Sequence, residues 1–364
     1  MSQDVVTGTA EIQALQTQLA QGPSPFQGAV LDLGLDDVFA TPTEIASGDF
    51  AQAEAAARGL RDLGLVHNFQ KISLNRLPMT WDDEAAFAVI VRNLEMAARS
   101  AAAAGMRGLW LENQMYGRSV FAVATDRSFD SDEALVLKRG SEMAAALVRG
   151  FPGAELILLW GYSEMWREVC IMGRPLPSHP YALYPAFLDG LRQGLANGQT
   201  RLIDGYLPAY PARAAAPFQM FRSLVHADHN QLERAWQPDV VTHWDGLGAG
   251  GPLLWPARYA VTCDAATSMR LSVPLPASFG LMIDYDMDAF MNPVPATVPR
   301  PTTADLPRGI AAALRSTDAY VWLYAGASSW WPAASRPQVP DSVSKAVLDA
   351  QAQVALDPVG WPQK

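Results

Sequence analysis

Apolar residues along the chain gather into short runs separated by longer stretches of helical period. Strand-like runs occur at "FQGAVLDLG" (26–34), "LVHNFQKISLN" (65–75), "GMRGLWLEN" (105–113) and "AELILLWGYSE" (154–164). They continue at "TRLIDGYL" (200–207), "VVTHWDG" (240–246), "FGLMIDYDMD" (279–288) and "AYVWLYAG" (319–326). Between them lie Ala-rich stretches whose apolar residues recur every three or four positions, at 50–63, 83–104, 132–149, 184–196 and 212–236. Near-continuous apolar strands alternating with amphipathic helices predict parallel β-structure, and eight such strands predict a single-domain α/β protein of the (β/α)₈ TIM-barrel class. The expected layout is an N-terminal helical extension over 1–24, a barrel over 25–357 with a closing helix at 342–355, and a tail over 358–364.

Composition narrows the functional classes. The chain has 364 residues, 49% hydrophobic and 18% charged, with a net charge of −10. That balance supports a sizeable core, and the acidity argues against a nucleic-acid or anionic-membrane partner, because phosphate binding requires clustered Lys and Arg. No run is long enough to span a bilayer. The start, "MSQDVVTGTAEIQALQTQLAQ", has no basic segment followed by an apolar one, so the expected location is cytoplasmic, or periplasmic or secreted if a leader has been removed. Cys170 and Cys263 match no zinc spacing and read as two buried free thiols. No metal and no cofactor are expected.

In a parallel barrel the chemistry sits where strands end and βα loops begin. Polar and aromatic residues cluster at those ends: Glu112, Asn113, Gln114 and Tyr116 after the third run, and Trp160 and Glu164 in the fourth. Asp204 and Tyr206 end the fifth, Asp245 the sixth, Asp284 and Asp286 the seventh, and Tyr324, Trp330 and Trp331 the eighth. Carboxylates that accept from sugar hydroxyls, with aromatic faces to stack on sugar rings, suit an oligosaccharide or glycoside ligand. Glycoside hydrolysis needs two carboxyl groups, one to protonate the leaving oxygen and one to act as base or nucleophile. Other signals carry less. "GLGAGG" (246–251) is followed by Pro252 and Pro256 without a βαβ frame, and reads as a loop. "VHADHN" offers His226, Asp228 and His229 without a third ligand nearby for a metal.

The run "WDDEAAFAVIVRNLEMAARSAAAAGMRGLWLENQMYG", with "LIDGYLPAY" and "AYVWLYAGASSWW", resembles a largely uncharacterised group of glycoside-hydrolase-like (β/α)₈ barrels. Their patterns are D-x-E-x-Y, D-G-x-E and Y-V-W-x-Y-[ST]-E. This chain departs from them at three acids, carrying Gln114, Leu207 and Gly326 instead. The amide at 114 is either natural divergence or a deliberate Glu→Gln replacement; the changes at 207 and 326 favour divergence. The resemblance implies a divergent glycoside hydrolase. Glu164 is the expected proton donor and Asp284 the base or nucleophile, with Glu112 and Asp204 in the same acidic site. Gln114, Asn113, Tyr116, Asp245 and Asp286 would hold hydroxyls, and Trp160, Tyr206, Tyr324, Trp330 and Trp331 would stack. The alternatives are a catalytically silent carbohydrate-binding barrel and a metal-assisted sugar isomerase or epimerase.

Overall fold

The computed structural model describes residues 2–22, 24–36, 38–39, 43–45, 50–74, 80–114, 119–124, 126–196, 199–236, 241–242, 253–254, 256, 258–283, 303–325, 328–331 and 337–356. In chain order the elements are β1 (Ser2–Thr7), α1 (Gly8–Leu19), β2 (Ala29–Asp32), α2 (Ala51–Asp62), β3 (Phe69–Ser73), α3 (Glu84–Ala103), β4 (Gly108–Glu112) and α4 (Phe129–Gly150). Next come β5 (Glu155–Leu158), α5 (Tyr162–Trp166), α6 (Tyr184–Leu195), β6 (Arg201–Asp204), α7 (Ala215–Val225) and α8 (His229–Ala235). The last are β7 (Val241–Thr242), β8 (Leu253–Leu254), α9 (Ala265–Leu271), β9 (Phe279–Met282), α10 (Leu306–Ser316), β10 (Val321–Tyr324) and α11 (Asp341–Leu356). Strand and helix alternate as the periodicity predicts, and the protein is a mixed α/β fold with parallel strands.

The described chain gathers into two compact units. One comprises Val5–Leu159 and Arg174–Ile203; the other comprises Met1–Asp4, Trp160–Gly173 and Asp204–Lys364. The first is called the N-terminal unit and the second the C-terminal unit.

In the N-terminal unit, β2, β3, β4 and β5 pair side by side, all parallel. Register puts Lys71 opposite Trp110 and Ser73 opposite Glu112. Strand period two then divides the sheet. Ile72, Leu109, Leu111 and Leu156 point to one side, where they meet Leu94 of α3, Met143 and Leu147 of α4 and Leu191 of α6. Lys71, Ser73, Trp110 and Glu112 share the other. The helix layer is tight because α4 and α6 meet at glycines: a Cβ on Gly190 would lie 2.1 Å from the Leu137 carbonyl oxygen. Helix starts are fixed by side chains, with Asp83 accepting from the Ala86 N–H at 2.9 Å and Ser128 from the Ser131 N–H at 3.3 Å.

In the C-terminal unit, β9 and β10 pair in parallel, and Ser2 of β1 pairs with Leu323 of β10. Asp204 forms an isolated parallel bridge to Ala277, and no ladder joins β6 to β9 among the described residues. Three expectations need correction. Residues 2–7 are strand, not helix, so the first segment is not a purely helical extension. In the sixth predicted run, 240–246, the described residues Val241–Thr242 pair antiparallel with Leu253–Leu254, not in parallel. Cys170 and Cys263 are not free thiols; they are joined, with Cα atoms 4.6 Å apart across 93 positions. The Thr262 N–H and Oγ1 both donate to the Cys170 carbonyl, at 2.7 and 2.9 Å.

The long predicted helix over 212–236 is two helices. Ala227 breaks it with φ +53°, and Asp228 caps the second by accepting from the Gln231 N–H at 3.0 Å. Among the described residues no helix is long and apolar enough to cross a membrane.

Candidate functional site

Parallel strands present their last side chains and following loops at one edge, where ligands of such sheets bind. In the N-terminal unit that edge carries Asp36, Lys71, Ser73 and Glu112. Asp32 ends β2 and folds the next turn: its Oδ1 accepts the N–H groups of Gly34, Leu35 and Asp36 at 2.9, 2.7 and 3.0 Å. That turn aims Asp36 at the neighbouring strand. Lys71 Nζ lies 3.1 Å from Asp36 Oδ2, and Ser73 Oγ donates to Asp36 Oδ1 at 2.5 Å. The Ser73 N–H also donates to the Asp36 backbone carbonyl, at 3.0 Å.

Glu112 sits one strand over and is not paired in this way. It is 8% exposed, and among the described residues its buried Oε1 has no hydrogen-bond partner. Burial pushes its carboxyl up to about 7; the Lys71 ammonium and the Gln114 N–H oppose this, while Asp36 adds to it. A carboxyl with that value carries a proton for part of its time at neutral pH, and can give it away. Asn113, the next residue, is fully buried. Its Oδ1 accepts from the Leu159 N–H at 3.0 Å, and its Nδ2 donates to the Tyr184 hydroxyl. It ties the end of β4 to its surroundings. Gln114 is buried beside it.

The C-terminal unit holds the other acids. Glu164, in α5, is forked by Arg167: Nε reaches Oε2 at 2.9 Å and Nη2 reaches Oε1 at 2.6 Å. Arg167 also bonds Glu168, and all three side chains are buried. The chain continues from α5 into one turn of π-helix, Arg167–Ile171, a geometry frequent at functional sites. Desolvation works against the Arg167 charge, but the two carboxylates outweigh it and raise its value. Asp204 is 1% exposed and closes β6. Its Oδ1 accepts from the Tyr206 N–H at 3.0 Å and its Oδ2 from the Ser163 hydroxyl. Burial raises it to about 6, Glu164 adds to the rise, and the donors from Ser163, Tyr206 and Gly161 pull it back.

Tyr206 is unusual twice over. It is a non-glycine residue at φ +33°, and among the described residues its buried hydroxyl has no partner. Burial, then Glu164, raise the phenol well above its ordinary value. Its ring does not form an open stacking wall: Phe221 packs at 5.0 Å and Phe279 at 6.4 Å between centroids. Tyr324 stacks on Tyr210 at 5.9 Å, while Trp160, Trp330 and Trp331 are buried. Asp284, Asp286, Asp245 and Tyr116 lie outside the described residues, as does "GLGAGG".

The three side chains of "VHADHN" go to three places. His226 pairs with Asp318, Asp228 caps α8, and His229 bonds Ser272 at 2.7 Å and stacks on Trp166. Sequence reasoning missed Asp36 and Lys71. A lysine in the middle of a sheet strand, Phe69–Ser73, was the available signal, since a charge there needs a partner.

No family model matches this chain, and no curated protein matches it. Among solved structures it is similar to the apo structure of a β-glucosidase, β-glucosidase 1317, at 12% identity. The alignment covers 95% of this chain and 72% of that one, with a TM-score of 0.34, and a likeness of that size carries no argument.

Proposed function

We propose that the protein is carbohydrate-active, a divergent glycoside hydrolase on a (β/α)₈-type scaffold, with Glu112 as the proton donor. The observation that carries this reading is the Glu112 carboxyl itself. It is buried at the end of a parallel strand, has one oxygen unengaged, and is raised to about 7. The sequence resemblance supplies the substrate class, a glycoside or oligosaccharide. The donor role moves from Glu164 to Glu112 because a carboxylate forked by a guanidinium is favoured in its ionised form. Glu164 and Asp204 remain acidic groups of the C-terminal unit.

The disulfide bears on location. Such bonds persist in oxidising compartments, which supports the periplasmic or secreted alternative over the cytoplasmic one.

The test is turnover of a panel of aryl glycosides and oligosaccharides by wild type and E112Q. Loss of a general acid costs about 10²–10⁴-fold, and the reading expects a loss of that size in E112Q with the fold intact. Wild-type activity should fall as pH rises through about 7, where the donor loses its proton. No turnover by wild type on any glycoside, with binding retained, would leave the silent carbohydrate-binding barrel, which the replaced acids at 114, 207 and 326 favour.

A further inference from the structure

A hydrolase that has lost three acids of its pattern still needs a second carboxyl group. We propose that Asp36, clamped by Lys71 and Ser73, is that group: the base that works with Glu112 at the edge of the N-terminal unit's sheet. The inference rests on the reading of Glu112 as donor.

Three observations carry it. First, Asp36 is placed by construction and not by chance. Asp32 folds the turn that delivers it, and Lys71 and Ser73 take one carboxylate oxygen each, at 3.1 and 2.5 Å. Second, it faces the same edge as Glu112. Ser73, which holds Asp36, is the register partner of Glu112 across β3 and β4, and the two carboxyls influence one another electrostatically. Third, Asp36 and Lys71 keep side-chain exposures of 16% and 20%, so water reaches the carboxylate. Glu112, by contrast, is shielded. A solvent-reached carboxyl positioned by an ammonium and a hydroxyl, beside a shielded one with an oxygen left over, is the division of labour that acid–base hydrolysis requires.

The step balances as a single displacement. Glu112 gives its proton to the glycosidic oxygen as the bond from that oxygen to the anomeric carbon breaks, and the bonding pair stays on the oxygen. Asp36 takes a proton from water while the water oxygen bonds the anomeric carbon. One water is consumed, and solvent returns the proton from Asp36 to Glu112. With Asp36 acting on water rather than bonding the sugar, the product should have inverted anomeric configuration.

The experiment compares wild type, D36N and E112Q on an aryl glycoside turned over by wild type, with the product anomer read by proton NMR. K71M serves as a second variant. D36N should lose about 10²-fold or more in kcat, without loss of the folded state by circular dichroism. K71M should lower kcat with the fold retained, because the ammonium that positions the Asp36 carboxylate is gone. Exogenous azide should restore turnover to D36N and yield the inverted glycosyl azide. Wild-type levels of activity in D36N, or a retained anomer, would overturn the role of Asp36 while leaving Glu112 as donor. If wild type hydrolyses no glycoside, the reading of Glu112 fails and the role of Asp36 falls with it.

Discussion

Glu112 and Glu155 are both buried glutamates on adjacent parallel strands of the N-terminal unit, yet their surroundings are opposite. Glu155 opens β5, and Arg107 and Arg201 meet its Oε1 at 2.9 and 3.2 Å. Glu112 closes β4, and among the described residues its Oε1 has no hydrogen-bond partner. The end where strands begin is stitched together by charge pairs, while the end where they finish leaves a carboxyl unsatisfied. An unpaired buried polar atom costs stability, so a fold that keeps one at the edge where parallel sheets generally bind ligands invites a functional explanation. Glu164 in the C-terminal unit falls on the Glu155 side of this contrast, because Arg167 occupies both its oxygens.

The contrast can be broken from the paired side first. Arg167→Leu leaves Glu164 and Glu168 buried without their cation, and should destabilise by about 3–5 kcal/mol, read by denaturant unfolding. A loss below about 1 kcal/mol would mean that the pairing does not hold those acids. The same turn is stapled by Cys170–Cys263. Replacing both with Ser should cost about 2–4 kcal/mol, and non-reducing mass spectrometry of wild type should find no alkylatable thiol.

Glu112 predicts a pH effect of similar size. Its carboxyl is raised from 4.5 to about 7, so the folded chain holds a proton that the unfolded chain has released. Stability from this group is therefore full below about pH 4.5 and declines as pH rises to about 7, by about 3 kcal/mol. E112Q should abolish that slope, as seen by comparing unfolding free energies of the two proteins across this range. Smallest is Glu155→Gln. Its two arginines are each half exposed and can return to water, so the loss should be about 1–2 kcal/mol.

Much of the fold was legible because buried parallel strands leave a simple trace. Seven of the predicted runs contain an observed strand of the main sheets, as "GMRGLWLEN" contains Gly108–Glu112. What failed were elements whose pairing depends on distant chain. "SQDVVT" is too polar and short to announce a strand, and Val241–Thr242 found an antiparallel partner instead of a parallel one. The disulfide was hidden for the same reason, since 93 positions separate its cysteines. At the candidate site, Glu112 could be read as a polar residue ending an apolar run. Asp36 could not, because its meeting with Lys71 depends on the turn that Asp32 organises and on strand register. Nor did the sequence tell Glu164 from Glu112, because only packing reveals which acid has a guanidinium on it.

The most direct measurement is a carbon-13 NMR titration of the Glu112 carboxyl in labelled protein, assigned by its absence in E112Q. A midpoint near 7 is predicted. A midpoint at the ordinary value of 4.5 would contradict the account, because Glu112 would then be ionised at neutral pH and have no proton to give.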